Sequence, residues 1–140
     1  MRLYAWNSIL IIGMNFNRNI GNYLSIKYKI PNYDIEEESR WKNFKNINEK
    51  NDREYDIIKD LIIINEKKII TLSENSIESH KIYHLLLNTN EPIIHIINMN
   101  KRDKNKWEKR AKYYYSLSEN IYWENEEIDI IKWIENEKII

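Results

Sequence analysis

Asp34 and Glu36 stand one residue apart in "NYDIEEE", Arg53 falls in "DREYD", and Arg110 sits inside "EKRAKYY". An acid beside a bound hydroxyl can orient it and take its proton, and a guanidinium forks onto a carboxylate or phosphate. Upstream, "GMNFNRNIG" runs from Gly13 to Gly21 and holds the only two glycines of the 140 residues. A glycine-bracketed loop between strand and helix can turn its backbone N–H groups around a phosphate. A lysine then reaches the β- and γ-phosphates and a hydroxyl reaches Mg2+. Here the loop is filled by Met14, Asn15, Phe16, Asn17, Arg18 and Asn19. Two readings stay open: a worn phosphate loop, or a plain strand-to-helix turn capped by asparagine.

These side chains need elements to position them. "SILIIG" is continuous, apolar and stopped by glycine, which predicts a buried strand, and "IGNYLSIKYK" predicts a helix closed by Pro31. A short strand follows at "NYDI", then a polar stretch with little periodicity. From Asp52 to Lys68 a helix is expected, with Asp52 as its cap, Ile57, Leu61 and Ile64 on one face, and Ile58 and Ile62 beside it. "KIITLS" reads as a third strand, residues 76–89 as a helix with Ser76 and Ser79 near its start, and "IIHIIN" as a fourth strand. "KNKWEKRAKYYYSL" is a helix, "NIYWEN" a fifth strand, and "EEIDIIKWIENEK" a closing helix. Alternating fully apolar strands with helices means a parallel sheet covered on both faces, so the expected fold is one three-layer α/β/α domain over residues 1–140 with five parallel strands. Ligands of such folds sit beyond the carboxyl ends of the strands, which nominates residues 13–21, 34–38, 73–77 and 98–102.

Composition removes several classes. With no cysteine, thiol chemistry, disulfides and cysteine-bound zinc are excluded. Twenty-two basic against twenty-two acidic residues leave no basic excess for nucleic acid. No apolar run reaches the ~20 residues of a membrane span, and "SILII" is short for a signal peptide, so a cytoplasmic monomer without membrane contact is expected.

In order and spacing, the sequence resembles the shikimate kinases, small P-loop kinases. Their loop reads glycine, aromatic, Met, Gly, Ser/Ala, Gly, Lys, Ser/Thr, Thr, Ile/Leu, Gly. Asp34 and Glu36 match the acidic pair that follows their second strand. "DREYDIIKDLIIINEKKIITLSENS" matches a later block, with Arg53 on the family arginine and Glu74, Asn75 and Ser76 on three glycines. "EKRAKYY" is similar to a helix motif that places Arg110 on a second arginine. The resemblance implies a P-loop kinase-like fold and transfer of the γ-phosphoryl of ATP, with Mg2+, to the 3-hydroxyl of shikimate. It implies that Arg53 and Arg110 bind the acceptor carboxylate, that Glu36 acts on the hydroxyl, and that Asp34 contacts the acceptor and helps hold the Mg2+ shell. It makes Gly13, Met14, Asn15, Phe16, Asn17, Arg18 and Asn19 the nucleotide loop. That loop is two residues short: gaps inside it put Arg18 on the catalytic lysine and Asn19 on the metal-binding hydroxyl, and other gaps put Asn17 or Asn19 on the lysine. The family's flexible lid is cut to "MNKRDKNK", leaving Lys101 and Arg102 to touch the transferred phosphate.

Two alternatives accompany this reading. Loss of the loop glycines and lysine suits a non-catalytic binding or scaffold module on the same fold, and the closing "DIIKWIENEK" resembles the tail of the adenylate kinase isoenzyme 6 family. His80 and His84, four apart on a helix, lack an evident third ligand and read as surface histidines. His95 reads as a satisfied core histidine, and Trp107, Tyr113, Tyr114, Tyr115 and Trp133 as packing.

Overall fold

A computed structural model describes residues 7–13, 17–39, 45–97, 104–117 and 120–123. The strand β1 (Ser8–Gly13) is buried along its whole length because both its edges and both its faces are covered. Its side chains alternate as strand geometry requires. Ile9 and Ile11 enter one core with Ile69, Ile94 and, from the helix α1 (Asn17–Tyr28), Ile20 and Leu24. Leu10 and Ile12 enter the other, with Ile58, Ile70, Ile82, Leu86 and Tyr114. A strand that feeds two cores has no polar face, hence the unbroken apolar run.

The remaining strands are β2 (Asn32–Asp34), β3 (Lys68–Thr71), β4 (Ile93–Ile97) and β5 (Asn120–Trp123). They form one five-stranded sheet in the order β2-β3-β1-β4-β5, with every neighbouring pair parallel. This is the three-layer α/β architecture expected from the sequence.

Several boundaries differ from expectation, each for a local reason. α1 begins at Asn17, three residues early, and ends where Lys29 takes a left-handed φ of 57° and the Ile30 N–H returns to the Ser25 carbonyl. The polar stretch contains a short helix, α2 (Ile35–Ser39). The helix α3 (Ile47–Ile63) starts five residues before Asp52, because Asn46 is its cap: its side chain accepts from the Glu49 N–H, and Glu49 in turn accepts from the Lys45 N–H. Asp52 pairs with Lys81 instead. The most buried residues of α3 are Glu54 and Ile58, while Ile63 and Ile64 are exposed, so its inner face is rotated from the expected Ile57–Leu61–Ile64 stripe. The next helix splits into a 3₁₀ turn (Ser76–Glu78) and α4 (His80–Asn88), because the Ser79 side chain accepts from the Ile82 N–H and restarts the helix. α5 (Lys104–Leu117) falls where expected. The closing helix and Trp133 lie outside the described residues.

Both glycines are constrained. Gly13 ends β1 at φ 137°, a conformation open to glycine. Gly21 lets α1 lie close on the sheet: a Cβ there would stand 2.2 Å from Thr71 Oγ1. That hydroxyl donates to Asn32 Oδ1 at 2.7 Å, and threonine's χ1 is stiff in a strand. Gly21→Ala is therefore expected to lower unfolding stability by roughly 1–2 kcal/mol in denaturant titration, although alanine favours a helix.

His95 is fully buried on β4 and stacks on Tyr114 with ring centroids 4.3 Å apart. Its burial matches expectation, but neither ring nitrogen has a hydrogen-bond partner among the described residues. Burial alone pushes its pKa down from 6.5 to about 4. Between those values the unfolded chain binds the proton and the folded chain does not, so stability rises with pH across the window. The contribution is complete above pH 6.5 and lost as pH falls towards 4, amounting to roughly 3 kcal/mol. Denaturant unfolding at pH 7 and pH 4.5 should show this loss, and His95→Phe should abolish it.

Candidate functional site

β1 sits between β3 and β4, and the chain leaves β1 towards β2 on one side but crosses from β3 to β4 on the other. Such a reversal opens a crevice at the carboxyl ends of the strands. The residues that converge there come from the start of α1, the end of β2, the middle of α3, the turn after β3, and α5.

At the start of α1 the buried Asn17 turns its amide inward. Nδ2 donates to the Gly13 carbonyl at 2.9 Å and to the Leu72 carbonyl at 3.4 Å, while Oδ1 is buried without a hydrogen-bond partner among the described residues. This residue ties the end of β1 to the end of β3. A neutral amide thus crosses the base of the loop at a position where one alignment with a phosphate loop puts lysine. Met14, Asn15, Phe16, Lys101 and Arg102 lie outside the described residues.

One turn further, Arg18 reaches across to β2. Its Nε donates to Asp34 Oδ2, and Nη2 lies 3.6 Å from Glu36 Oε2. The hydrogen bond and charge of Asp34 hold this guanidinium's pKa above its ordinary value. Asp34 also caps α2, its Oδ1 accepting from the N–H groups of Glu36 at 3.1 Å and Glu37 at 3.4 Å. The structure therefore brings three of the expected site residues, Arg18, Asp34 and Glu36, into one cluster. Asp34 is pinned from two sides, while Glu36 is more exposed and more loosely held. Asn19 lies exposed on the same turn of α1.

α3 contributes two side chains of opposite kind. Glu54 is almost wholly buried, and its carboxylate is met by two serine hydroxyls, Ser73 Oγ at 2.7 Å and Ser76 Oγ at 3.3 Å. The two serines also share a hydrogen bond of 2.5 Å. Sequence reasoning missed this residue. The available signal was an acid four residues before Ile58, in line with the apolar stripe. Buried polar groups need partners, and this carboxylate fixes the turn after β3 by supplying them. Its neighbour Arg53 is the reverse case: Nε is shielded from solvent with no hydrogen-bond partner among the described residues.

Arg110, from α5, is 8 % exposed. Its Nε donates to Glu78 Oε1 at 2.8 Å, and Nη1 donates to Glu74 Oε1 at 3.2 Å and to the Glu74 carbonyl at 3.4 Å. Burial works to lower its pKa, but the Glu78 hydrogen bond, neighbouring charge and Glu74 outweigh that, and the net shift is upward. The two arginines expected to share one incoming carboxylate thus differ: Arg53 has an unpaired Nε among the described residues, and Arg110 already holds two carboxylates.

A groove of about 560 Å³ runs between α3 and α4, lined by Tyr55, His80, Lys81, His84, Leu85 and Asn88. His80 and His84 face it, but no set of three metal-binding side chains forms among the described residues. Nor is any described helix long and apolar enough to cross a membrane.

No protein-family model matches this chain, and no curated protein matches it in sequence. Solved structures do match. Shikimate kinase from Bacteroides thetaiotaomicron superposes with a TM-score of 0.75 at 10 % identity, covering 94 % of this chain and 99 % of that one. Shikimate kinase from Acinetobacter baumannii, in complex with shikimate, gives 0.76 at 12 % identity and covers 97 % of both chains. The enzyme from Aquifex aeolicus gives 0.72 at 18 % identity, covering 94 % and 98 %. The chain therefore shares the fold of these enzymes.

If Asn17 is the tie between β1 and β3, Asn17→Ala leaves two carbonyls short of a donor and should cost about 1–3 kcal/mol in thermal unfolding. An unchanged midpoint would assign that join to the backbone alone.

Proposed function

We propose that the protein is a phosphotransferase of the shikimate kinase type, passing the γ-phosphoryl group of ATP to the 3-hydroxyl of shikimate. The observation that carries this reading is Arg53, whose guanidinium has a desolvated Nε and no partner among the described residues. A shielded cationic donor left unpaired is costly, and a carboxylate arriving with the acceptor would satisfy it.

In this reading Arg53 anchors the acceptor by its carboxylate. Glu36, held only at 3.6 Å from Arg18, is free to turn towards the acceptor hydroxyl, orient it and take its proton. Asp34 is fixed by the N-terminus of α2 and keeps Arg18 at the rim of the site. Phosphate oxygens then compete with the two acids for Arg18, which supplies positive charge where the transferring group gains negative charge.

The described residues do not by themselves assemble a protein-held Mg2+ site. Both Asp34 oxygens already accept hydrogen bonds, and no cluster of three carboxylate or histidine ligands is formed among the described residues. Mg2+ would arrive on the nucleotide phosphates, a usual way for this ion to be held. No step above depends on it.

Asn17 favours a second reading, a non-catalytic binding module. Its neutral amide braces the loop from inside, where a phosphate-binding lysine would bring charge. ATP-dependent formation of shikimate 3-phosphate separates the two readings, since the module would bind without turnover.

The acceptor assignment is tested by calorimetric titration with shikimate. Arg53→Ala should weaken binding by about tenfold or more, the scale of one charge-assisted contact, and Arg53→Lys should retain part of it. Equal affinity for wild type and Arg53→Ala would remove Arg53, and with it this reading, from consideration.

A further inference from the structure

Of the two arginines expected to bind an acceptor carboxylate, Arg110 is already paired from within the chain. Arg110 is the more deeply buried partner of its ion pairs: its side chain is 10 % exposed, against 35 % for Glu74 and 52 % for Glu78. The two carboxylates therefore lie on the solvent side of the guanidinium and cover it. Glu74 holds it twice, through its side chain and through its own backbone carbonyl. Glu78 follows in the 3₁₀ turn that Ser76 fixes against Glu54. Both acids are thus mounted on a turn that is itself anchored by a buried hydrogen-bonded cluster.

We infer that Glu74 is a resident carboxylate of the acceptor site, filling the guanidinium of Arg110 so that an incoming carboxylate acceptor is held by Arg53 alone. This rests on the acceptor reading above and sharpens it. Arg110 with Glu74 and Glu78 carries one excess negative charge, so an approaching carboxylate meets repulsion there rather than attraction. It would also have to displace a tethered competitor, whose effective concentration on Arg110 lies in the millimolar range or above. Glu74 is thereby a specificity-determining residue. It favours acceptors that need one guanidinium and disfavours those that need two. Arg110 is a positioning residue that clamps the turn after β3.

The test uses the full chain and two probes, shikimate and sodium acetate. Glu74→Gln removes the charge while keeping an oxygen for Arg110 Nη1, so the buried guanidinium is not stripped bare. Shikimate should bind Glu74→Gln on the order of tenfold more tightly than wild type, the scale of one partly screened charge. Adding Arg110→Lys should reverse that gain. Acetate, followed by the side-chain N–H resonances of Arg110 in a 15N-labelled sample, should move them in Glu74→Gln and leave them still in wild type. Glu78→Gln, which removes the other charge while keeping an oxygen for Nε, gives the same readout should Glu74→Gln fail to fold.

Acetate acting equally on wild type and variant, or on neither, overturns the inference whatever shikimate does. Acetate separating the two while shikimate binds neither upholds the resident carboxylate and overturns the choice of acceptor.

Discussion

At the carboxyl edge of a parallel sheet the strand carbonyls run out of neighbours, and each needs a donor from elsewhere. At the centre of this sheet part of that demand is met by the side-chain amide of Asn17, which joins the Gly13 carbonyl of β1 to the carbonyl of Leu72, the residue just past β3. The close seating of α1 on the sheet, possible because residue 21 has no side chain, brings that amide within reach. The same seating carries Arg18 to Asp34 and the end of β2. Glycine at 21, amide at 17 and guanidinium at 18 form one chain of dependence: a helix standing further from the sheet would lose the brace and the charge cluster together.

The distribution of charge follows from that geometry. The described part of the site contains three guanidiniums, and two are compensated from within the chain. Arg18 meets Asp34 and Glu36, and Arg110 meets Glu74 and Glu78. The Arg18 pair is exposed and contributes little to stability, so its acids can be traded for phosphate oxygens at small cost. The Arg110 guanidinium is buried beneath half-exposed carboxylates, and removing them leaves a desolvated charge behind. Equal pairings on paper are therefore unequal in use: one is exchangeable and the other structural. Arg53 Nε is shielded and has no hydrogen-bond partner among the described residues.

How much of this was legible in the sequence depends on whether the controlling contact is local. "SILIIG" and "KNKWEKRAKYYYSL" gave their strand and helix to the residue, since both signals are carried by adjacent side chains. The start of α3 was misplaced because Asn46 is one asparagine among several in a polar run, and only a backbone that turns there makes it a cap. Asp34, Glu36 and Arg18 were nominated separately, and their union depends on how closely α1 packs. Arg110 was nominated as a ligand for an outside carboxylate, yet its partners lie 32 and 36 residues away in sequence, where spacing conveys nothing. Glu54 went unnoticed for a related reason. An acid in a helix reads as surface until a serine pair from another element is found against it.

The fold and the site make different demands on the sequence, and the physics of each explains why. A core built from Ile9, Ile11, Ile69 and Ile94 on one face and Leu10, Ile12, Ile70 and Leu86 on the other asks only for apolar volume in alternation, which many sequences supply. TM-scores of 0.72 to 0.76 at identities of 10 to 18 % are what such tolerance allows. A site tolerates far less, because moving one donor by about 1 Å can cost roughly a hundredfold in rate. Shared architecture therefore leaves the chemistry open. The contacts that bear on it here are the amide at Asn17, the unpaired Nε at Arg53 and the carboxylates over Arg110. After β1 a neutral amide braces the turn, and beside the turn after β3 the Arg110 guanidinium is covered by two carboxylates. On the reading proposed above, this chain would hold its acceptor through a single guanidinium, and the strength of that contact would set how selective it can be.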